Sequence, residues 1–362
     1  ILMRIVIVTQ QLMHNYGGTL QAYAMQEVLR RFGHVPVTID FLPPRMSKWR
    51  YVAAQVKTML YRLCFSKKRQ FFKFPQREKR LPEFANFMAK YIVLTDTVKK
   101  YRASILKKYN AEAIVVGSDQ VWRRSFYNAK VYPDMFLRFA KNIAVPKIAY
   151  AASFGVSEWQ ASEDLTEVCS HYAKQFTAIS TREASGVELC KKYLGVDAVW
   201  VPDPTLLLDS KDYENLCKDI PRESRFYLLT YLLDITDLQR HAIEKFANRH
   251  GMHVKFVTAE KNLELSVEQW LAMFRDASFV ITNSFHGTVF SIINNKDFYT
   301  IVNESRGTER FVSLLSHFDL IDRICDIACL PESLIHIEWG KVNKLKTEWQ
   351  KQGIDFLKSY LK

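Results

Sequence analysis

The stretch TNSFHGTVFSI, residues 282 to 292, sets a histidine between a Ser-Phe pair and a glycine. An apolar run that reads as a strand (FVI, 279–281) ends just before it, and TVFSIINN after it reads as a short helix. Imidazole is the side chain best suited to giving and taking a proton under physiological conditions, so His286 is a candidate general acid. A lone histidine more often serves structure, but one flanked by Ser284 and Gly287 at a strand-to-helix turn suits a ligand pocket. Downstream, NESRGTER places Arg306 and Arg310 after the next strand, within reach of the same pocket.

Three further polar clusters have the same placement. In HNYGGTLQAYA, Asn15, Gly17 and Gly18 precede a helix whose free N–H groups suit an anion, although a plain tight turn accounts for them equally well. In GSDQVWRR, Asp119 would orient a sugar hydroxyl or take its proton, and Trp122 would present a flat face to a pyranose. The structural alternative there is a helix-capping aspartate and a packing tryptophan. In STRE, Arg182 stands beside a helix start, suited to a phosphate or carboxylate unless it simply pairs with Glu183.

The elements that must position these groups alternate regularly. MRIVIVT, HVPVTIDF, EAIVVGSD, KIAYAASFG, FTAISTRE and AVWVPDP read as strands with helices between most of them, the pattern of a parallel α/β sheet. After PDPTLLLDS the alternation restarts with RFYLLTYLL, MHVKFVT, SFVITNS and DFYTIV. The expected division is a Rossmann-like domain over 1–210, a second over 211–340, and a C-terminal helix over 341–362 that packs back on the first. In open parallel sheets ligands bind at the carboxyl ends of strands, where every cluster above falls.

Composition narrows the class. The net charge of +13 is local: residues 45 to 80 hold twelve Lys or Arg against one acid, Glu78. Within that segment Val52, Val56, Met59, Leu60 and Leu63 form one helical stripe with aromatic neighbours. The stripe reads either as a core-facing helix with a solvated basic face or as a basic insertion resting on an anionic membrane surface. Nothing else in the chain resembles a nucleic-acid fold. The six cysteines are scattered and read as reduced core thiols, and no apolar run reaches the length of a transmembrane helix. The N-terminus reads as a strand without a basic leader, so the expected location is cytoplasmic.

Together, NYGGTLQAYA, GSDQVW, AASFG, STRE, DPTLLL and TNSFHGTVFSI resemble the polysaccharide pyruvyl transferase family in order and spacing, from about residue 4 to residue 320. The resemblance implies a GT-B-like fold of two Rossmann-type doubly wound domains facing across a cleft. It implies transfer of the pyruvyl unit of phosphoenolpyruvate, a co-substrate, to a saccharide acceptor as a cyclic ketal. The acceptor expected is a galactose-type residue of a surface polysaccharide precursor, either free or lipid-linked at the inner face of the cytoplasmic membrane. His286 matches the family's catalytic histidine and Arg182 an arginine that binds phosphoenolpyruvate. Many relatives carry an arginine two residues before the histidine; here Ser284 stands in that place, so either Arg306 or Arg310 supplies the cation, with Arg310 favoured, or the donor differs. No cofactor and no metal are expected. The alternatives are a GT-B glycosyltransferase using a nucleotide sugar and a glycan-binding relative without catalysis.

Overall fold

The computed structural model describes residues 2–42, 56, 80–258, 265–302, 307–327 and 330–362. Arg306 and almost all of the basic stretch at 45–80 lie outside the described residues. Arg80, at the end of that stretch, pairs with Asp40 at 2.7 Å.

The first domain begins with β1 (Arg4–Val8), α1 (Tyr16–Arg31) and β2 (Val35–Thr38). Next come α2 (Pro82–Tyr91), α3 (Ala103–Lys108), β3 (Ala113–Val116), β4 (Lys147–Ala152) and α4 (Glu163–Ala173). It closes with β5 (Ala178–Thr181), α5 (Ala184–Leu189) and β6 (Val199–Trp200). A 3-10 turn (Pro204–Leu207) and α6 (Ser210–Leu216) lead to the second domain. That domain holds β7 (Tyr227–Leu232), α7 (Asp237–Arg249), β8 (His253–Thr258), α8 (Val267–Asp276) and β9 (Phe279–Thr282). It continues with α9 (Phe285–Ile293), β10 (Phe298–Ile301), α10 (Glu309–His317) and β11 (Ile324–Cys325), and α11 (Trp339–Tyr360) ends the chain.

The strands form a six-stranded sheet, order β2-β1-β3-β4-β5-β6, and a five-stranded sheet, order β11-β10-β9-β7-β8. Every strand pairing is parallel. The expected α/β, GT-B-like pair of Rossmann-type domains is thus present, with β11 as a short edge strand that the apolar pattern does not announce.

Alternate residues of each strand enter different cores, as a strand's period of two requires. Ile5, Ile7, Ala113 and Val115 join a cluster that also takes Tyr227, Leu229 and Val280 from the second sheet. Val6, Val8, Ile114 and Val116 face a second cluster on the far side of the first sheet. Leu228, Leu232, Phe279 and Ile281 face a third. The domains therefore share one apolar core between their sheets. Tyr16 at the start of α1 stacks on Trp270 of α8 at 5.3 Å, and its hydroxyl donates to the Leu265 carbonyl at 2.8 Å.

Helix α11 returns to the first domain. Gly353 lies so close to it that a Cβ there would fall 2.4 Å from the Tyr150 hydroxyl. Among the described residues no helix is long and apolar enough to cross a membrane.

Each sheet has one topological switch point, where successive connections leave in opposite directions. In the first it lies between β1 and β3, in the second between β7 and β9. The loops leaving those strands carry Asn15 to Gly18, Gly117 to Arg123, and Asn283 to Gly287. This is where an open parallel sheet offers a ligand crevice.

Candidate active site

His286 is held by local chemistry on the second sheet. Ser284 caps α9, its hydroxyl accepting from the Gly287 N–H at 3.3 Å. Thr282 donates to the Tyr231 carbonyl and accepts from the Ser284 N–H at 3.1 Å, which fixes the turn. A Cβ on Gly287 would lie 2.2 Å from Thr282 Oγ1, so only glycine lets the helix start this close to the strand. The helix begins at Phe285, earlier than its apolar run suggests, and His286 sits inside the first turn. Ser284, expected among the substrate-binding residues, serves here as the cap.

The first domain meets this turn. A Cβ on Gly17 would lie 2.0 Å from His286 Nδ1 and 2.2 Å from its Cγ. Gly17 therefore makes room for the imidazole of the other domain. Asn15 caps α1 by accepting from the Gly18 N–H at 2.9 Å. Gly18 lies beside Asp119: a Cβ there would be 3.6 Å from Asp119 Oδ2. Asp119 caps no helix; it occupies a turn with φ +63°, an uncommon left-handed conformation for a non-glycine residue.

Arg182 is the centre of the charge network. Its Nη1 donates to Asp203 Oδ2 at 2.9 Å. Asp119 Oδ1 lies 3.5 Å from Nη2 and Glu183 Oε1 3.8 Å from Nε. Phe285 covers the guanidinium from the second domain, with its ring centre 4.4 Å away. Burial alone would lower the Arg182 pKa, but Asp203, Asp119 and Glu183 outweigh it and raise it. Burial likewise raises the Glu183 carboxyl, against the pull of Arg182, a bond from Ser153 Oγ and the nearby Arg310.

Asp203 is the residue that reading the sequence missed. Its Oδ1 accepts from the Thr205 N–H at 3.0 Å and the Thr205 hydroxyl at 2.7 Å. Its Oδ2 accepts from Arg182 and from Ser118 Oγ at 3.2 Å, and lies 3.7 Å from His286 Nε2, an ion-pair contact longer than a hydrogen bond. Burial pushes this carboxyl up, yet His286, Arg182 and the Thr205 N–H hold it well below the usual carboxylate range. Asp-Pro-Thr in a sequence looks like an ordinary turn cap; only the fold shows that the second oxygen serves the site.

Arg310 enters from the first turn of α10, its guanidinium 5.8 Å from the Phe285 ring. Burial and then the repulsion of Arg182 pull its pKa down to about 10, so it remains cationic at neutral pH. Arg123, also near, shows a lowered pKa from burial, with Glu183 opposing. Trp122 is elsewhere. It is fully buried, stacked on Phe136 at 4.9 Å, and its indole N–H donates to the Met135 carbonyl at 3.0 Å. No face remains for a pyranose, which corrects the expectation of a sugar platform.

His286, Arg182, Asp119 and Arg310 thus converge between the two sheets. Arg182 Nε and Nη2, Glu183 Oε2 and His286 Nε2 are buried without a hydrogen bond. Each such group costs about 1–3 kcal/mol, and native proteins keep few of them. A cluster of them at a domain boundary suits a polar ligand. Among the described residues no group of three or more His, Cys, Asp or Glu could hold a metal ion.

The model of a family described as polysaccharide pyruvyl transferase matches residues 15–305. No curated protein sequence matches significantly. Similar solved structures include a UDP-GlcNAc 2-epimerase from Neisseria meningitidis, 9% identical, covering 98% of this chain and 93% of that one, TM-score 0.47. A Rickettsia africae glycosyltransferase is 10% identical over 99% and 94%, TM-score 0.46. A Streptomyces sp. SF2575 glycosyltransferase complexed with thymidine diphosphate is 10% identical over 98% of both chains, TM-score 0.45. At that distance neither their ligands nor their reactions transfer to this chain.

Proposed function

Because the chain belongs to the polysaccharide pyruvyl transferase family, we propose that it moves the pyruvyl unit of phosphoenolpyruvate onto a saccharide. The acceptor is a galactose-type residue of a surface polysaccharide precursor, and the product is a cyclic ketal. The observation that carries this reading is the convergence of a histidine, two arginines and Asp119 between the two sheets.

The chemistry follows from the donor. Phosphoenolpyruvate is an enol ester, so a proton placed on its methylene carbon draws the C=C pair into a new C–H bond. The neighbouring carbon becomes an oxocarbenium-like electrophile. His286 gives that proton. One sugar hydroxyl oxygen bonds to the electrophilic carbon, the C–O bond to phosphate breaks, and a second hydroxyl closes the ketal. The two hydroxyls release two protons: one restores His286 and the other departs with phosphate. Asp119 takes a hydroxyl proton on the way. Arg310, together with the unbonded N–H groups of Arg182, balances the donor's phosphate and carboxylate charge. The arginines fill the charge-neutralising role, so chelators leave turnover unchanged.

The test is direct. The protein is incubated with phosphoenolpyruvate and a galactose-type acceptor, and phosphate and ketal are measured. Equal amounts of both, undiminished by EDTA, are expected. A nucleoside diphosphate released from a sugar nucleotide, with phosphoenolpyruvate inert, would overturn the reading. The same proposal gives residues 45–80 a role in holding the enzyme at an anionic membrane surface beside a lipid-linked acceptor. Each basic residue near such a surface contributes on the order of 1 kcal/mol. Salt-sensitive sedimentation with anionic but not neutral vesicles is expected; equal recovery in the supernatant with both removes that role.

A further inference from the structure

The imidazole of His286 is constrained on several sides. Nε2 points to Asp203 Oδ2, 3.7 Å away. The Gly17 backbone lies on the ring: a Cβ there would be nearly as close to Cγ as to Nδ1, at 2.2 and 2.0 Å. Such a position is over the ring face, not in its plane. Phe285 stands edge-on at 5.3 Å, with its plane 89° to the imidazole. Nε2 is buried and makes no hydrogen bond, so its contact with Asp203 is electrostatic.

Asp203 itself cannot turn away. Its Oδ1 is committed to the Thr205 N–H and hydroxyl. Its Oδ2 is tied to Arg182 Nη1 and Ser118 Oγ. The side chain is fully buried, so water does not compete for it.

We infer that Asp203 is the positioning residue of the proton donor, holding Nε2 of His286 so that the proton is delivered from Nδ1. Beside a buried carboxylate an N–H is favoured over a lone pair, so the neutral ring carries its hydrogen on Nε2 and its lone pair on Nδ1. When the ring is protonated, the Nδ1–H proton is the one that moves. In the proposed reaction it passes to the methylene carbon of phosphoenolpyruvate, the C=C pair forms the new C–H bond, and the N–H pair returns to Nδ1. A sugar hydroxyl proton then restores it. This assignment rests on the pyruvyl-transfer reading only for the identity of the acceptor carbon.

The test uses the full chain labelled with 15N-histidine. The ring nitrogens of His286 are assigned by their loss in His286→Gln, and the neutral tautomer is read from their shifts. The wild type is expected to carry hydrogen on Nε2. In Asp203→Asn the Thr205 N–H holds the amide oxygen at the Oδ1 position, which puts the amide NH2 toward Nε2. The ring then switches to hydrogen on Nδ1, and kcat for phosphate release falls about a hundredfold, the scale of a positioned acid. An Nδ1–H tautomer in the wild type overturns the inference even if Asp203→Asn does not fold, and so does an unchanged tautomer in a folded Asp203→Asn. The expected tautomers in a protein inert toward phosphoenolpyruvate would uphold the pairing and sink only the pyruvyl-transfer reading.

Discussion

The two domains contribute unlike things to the site. The first domain supplies a dense set of buried charges at its strand ends: Asp119, Arg182, Glu183 and Asp203, none more than 8% exposed. The second supplies helix starts, with His286 and Phe285 in the first turn of α9 and Arg310 in that of α10. Charges in the first domain are mutually paired before any ligand arrives. The second-domain groups are delivered onto them: Phe285 covers Arg182, and the imidazole rests on Gly17 and faces Asp203. The difference teaches that the site is a property of the interface. One half holds electrostatics in place and the other brings the imidazole.

The comparison breaks most severely at Arg182. Replacing it with alanine strands Asp203 and Asp119 without their shared cation, and loss of one partner of a buried pair costs about 3–5 kcal/mol. Arg182→Ala should therefore lower the denaturation midpoint markedly as well as raise KM for phosphoenolpyruvate; a variant of unchanged stability would mean the network is not pre-paired. His286→Ala should show the opposite profile, with turnover lower by about a hundredfold or more and little change in melting temperature. Arg310→Ala sharpens the contrast between the two cations. It should raise KM for phosphoenolpyruvate by about tenfold, near the lower end of what a hydrogen bond to a charged group contributes, with stability nearly intact. Smallest is Trp122→Phe, which loses one buried hydrogen bond. A stability loss of about 1 kcal/mol with unaltered KM for the sugar is expected, whereas a raised sugar KM would return Trp122 to the site.

These contrasts also show what was legible in the sequence. Strand ends were, because apolar β-rich runs stop at small or polar residues, and both sheets and the clusters at their carboxyl ends follow from that. His286, Arg182, Asp119 and Arg310 stood out because each adjoins such an end. What local sequence does not carry is which distant group a residue meets. Gly17 reads as clearance for a ligand, and its neighbour proves to be an imidazole from the other domain. Trp122 beside a polar turn reads as a sugar platform, yet Phe136 and Phe154 enclose it. Asp203 caps the turn at Pro204–Leu207, and its second oxygen joins Arg182 and Ser118 beside His286, contacts made by the fold alone.

The central claim is that His286 protonates the methylene carbon of phosphoenolpyruvate, and running the reaction in heavy water tests it most directly. The ketal methyl group should carry a single deuterium from solvent, and His286→Ala should form that labelled product about a hundredfold more slowly or worse. A ketal methyl free of deuterium, or labelled product formed at an undiminished rate without His286, would contradict the account.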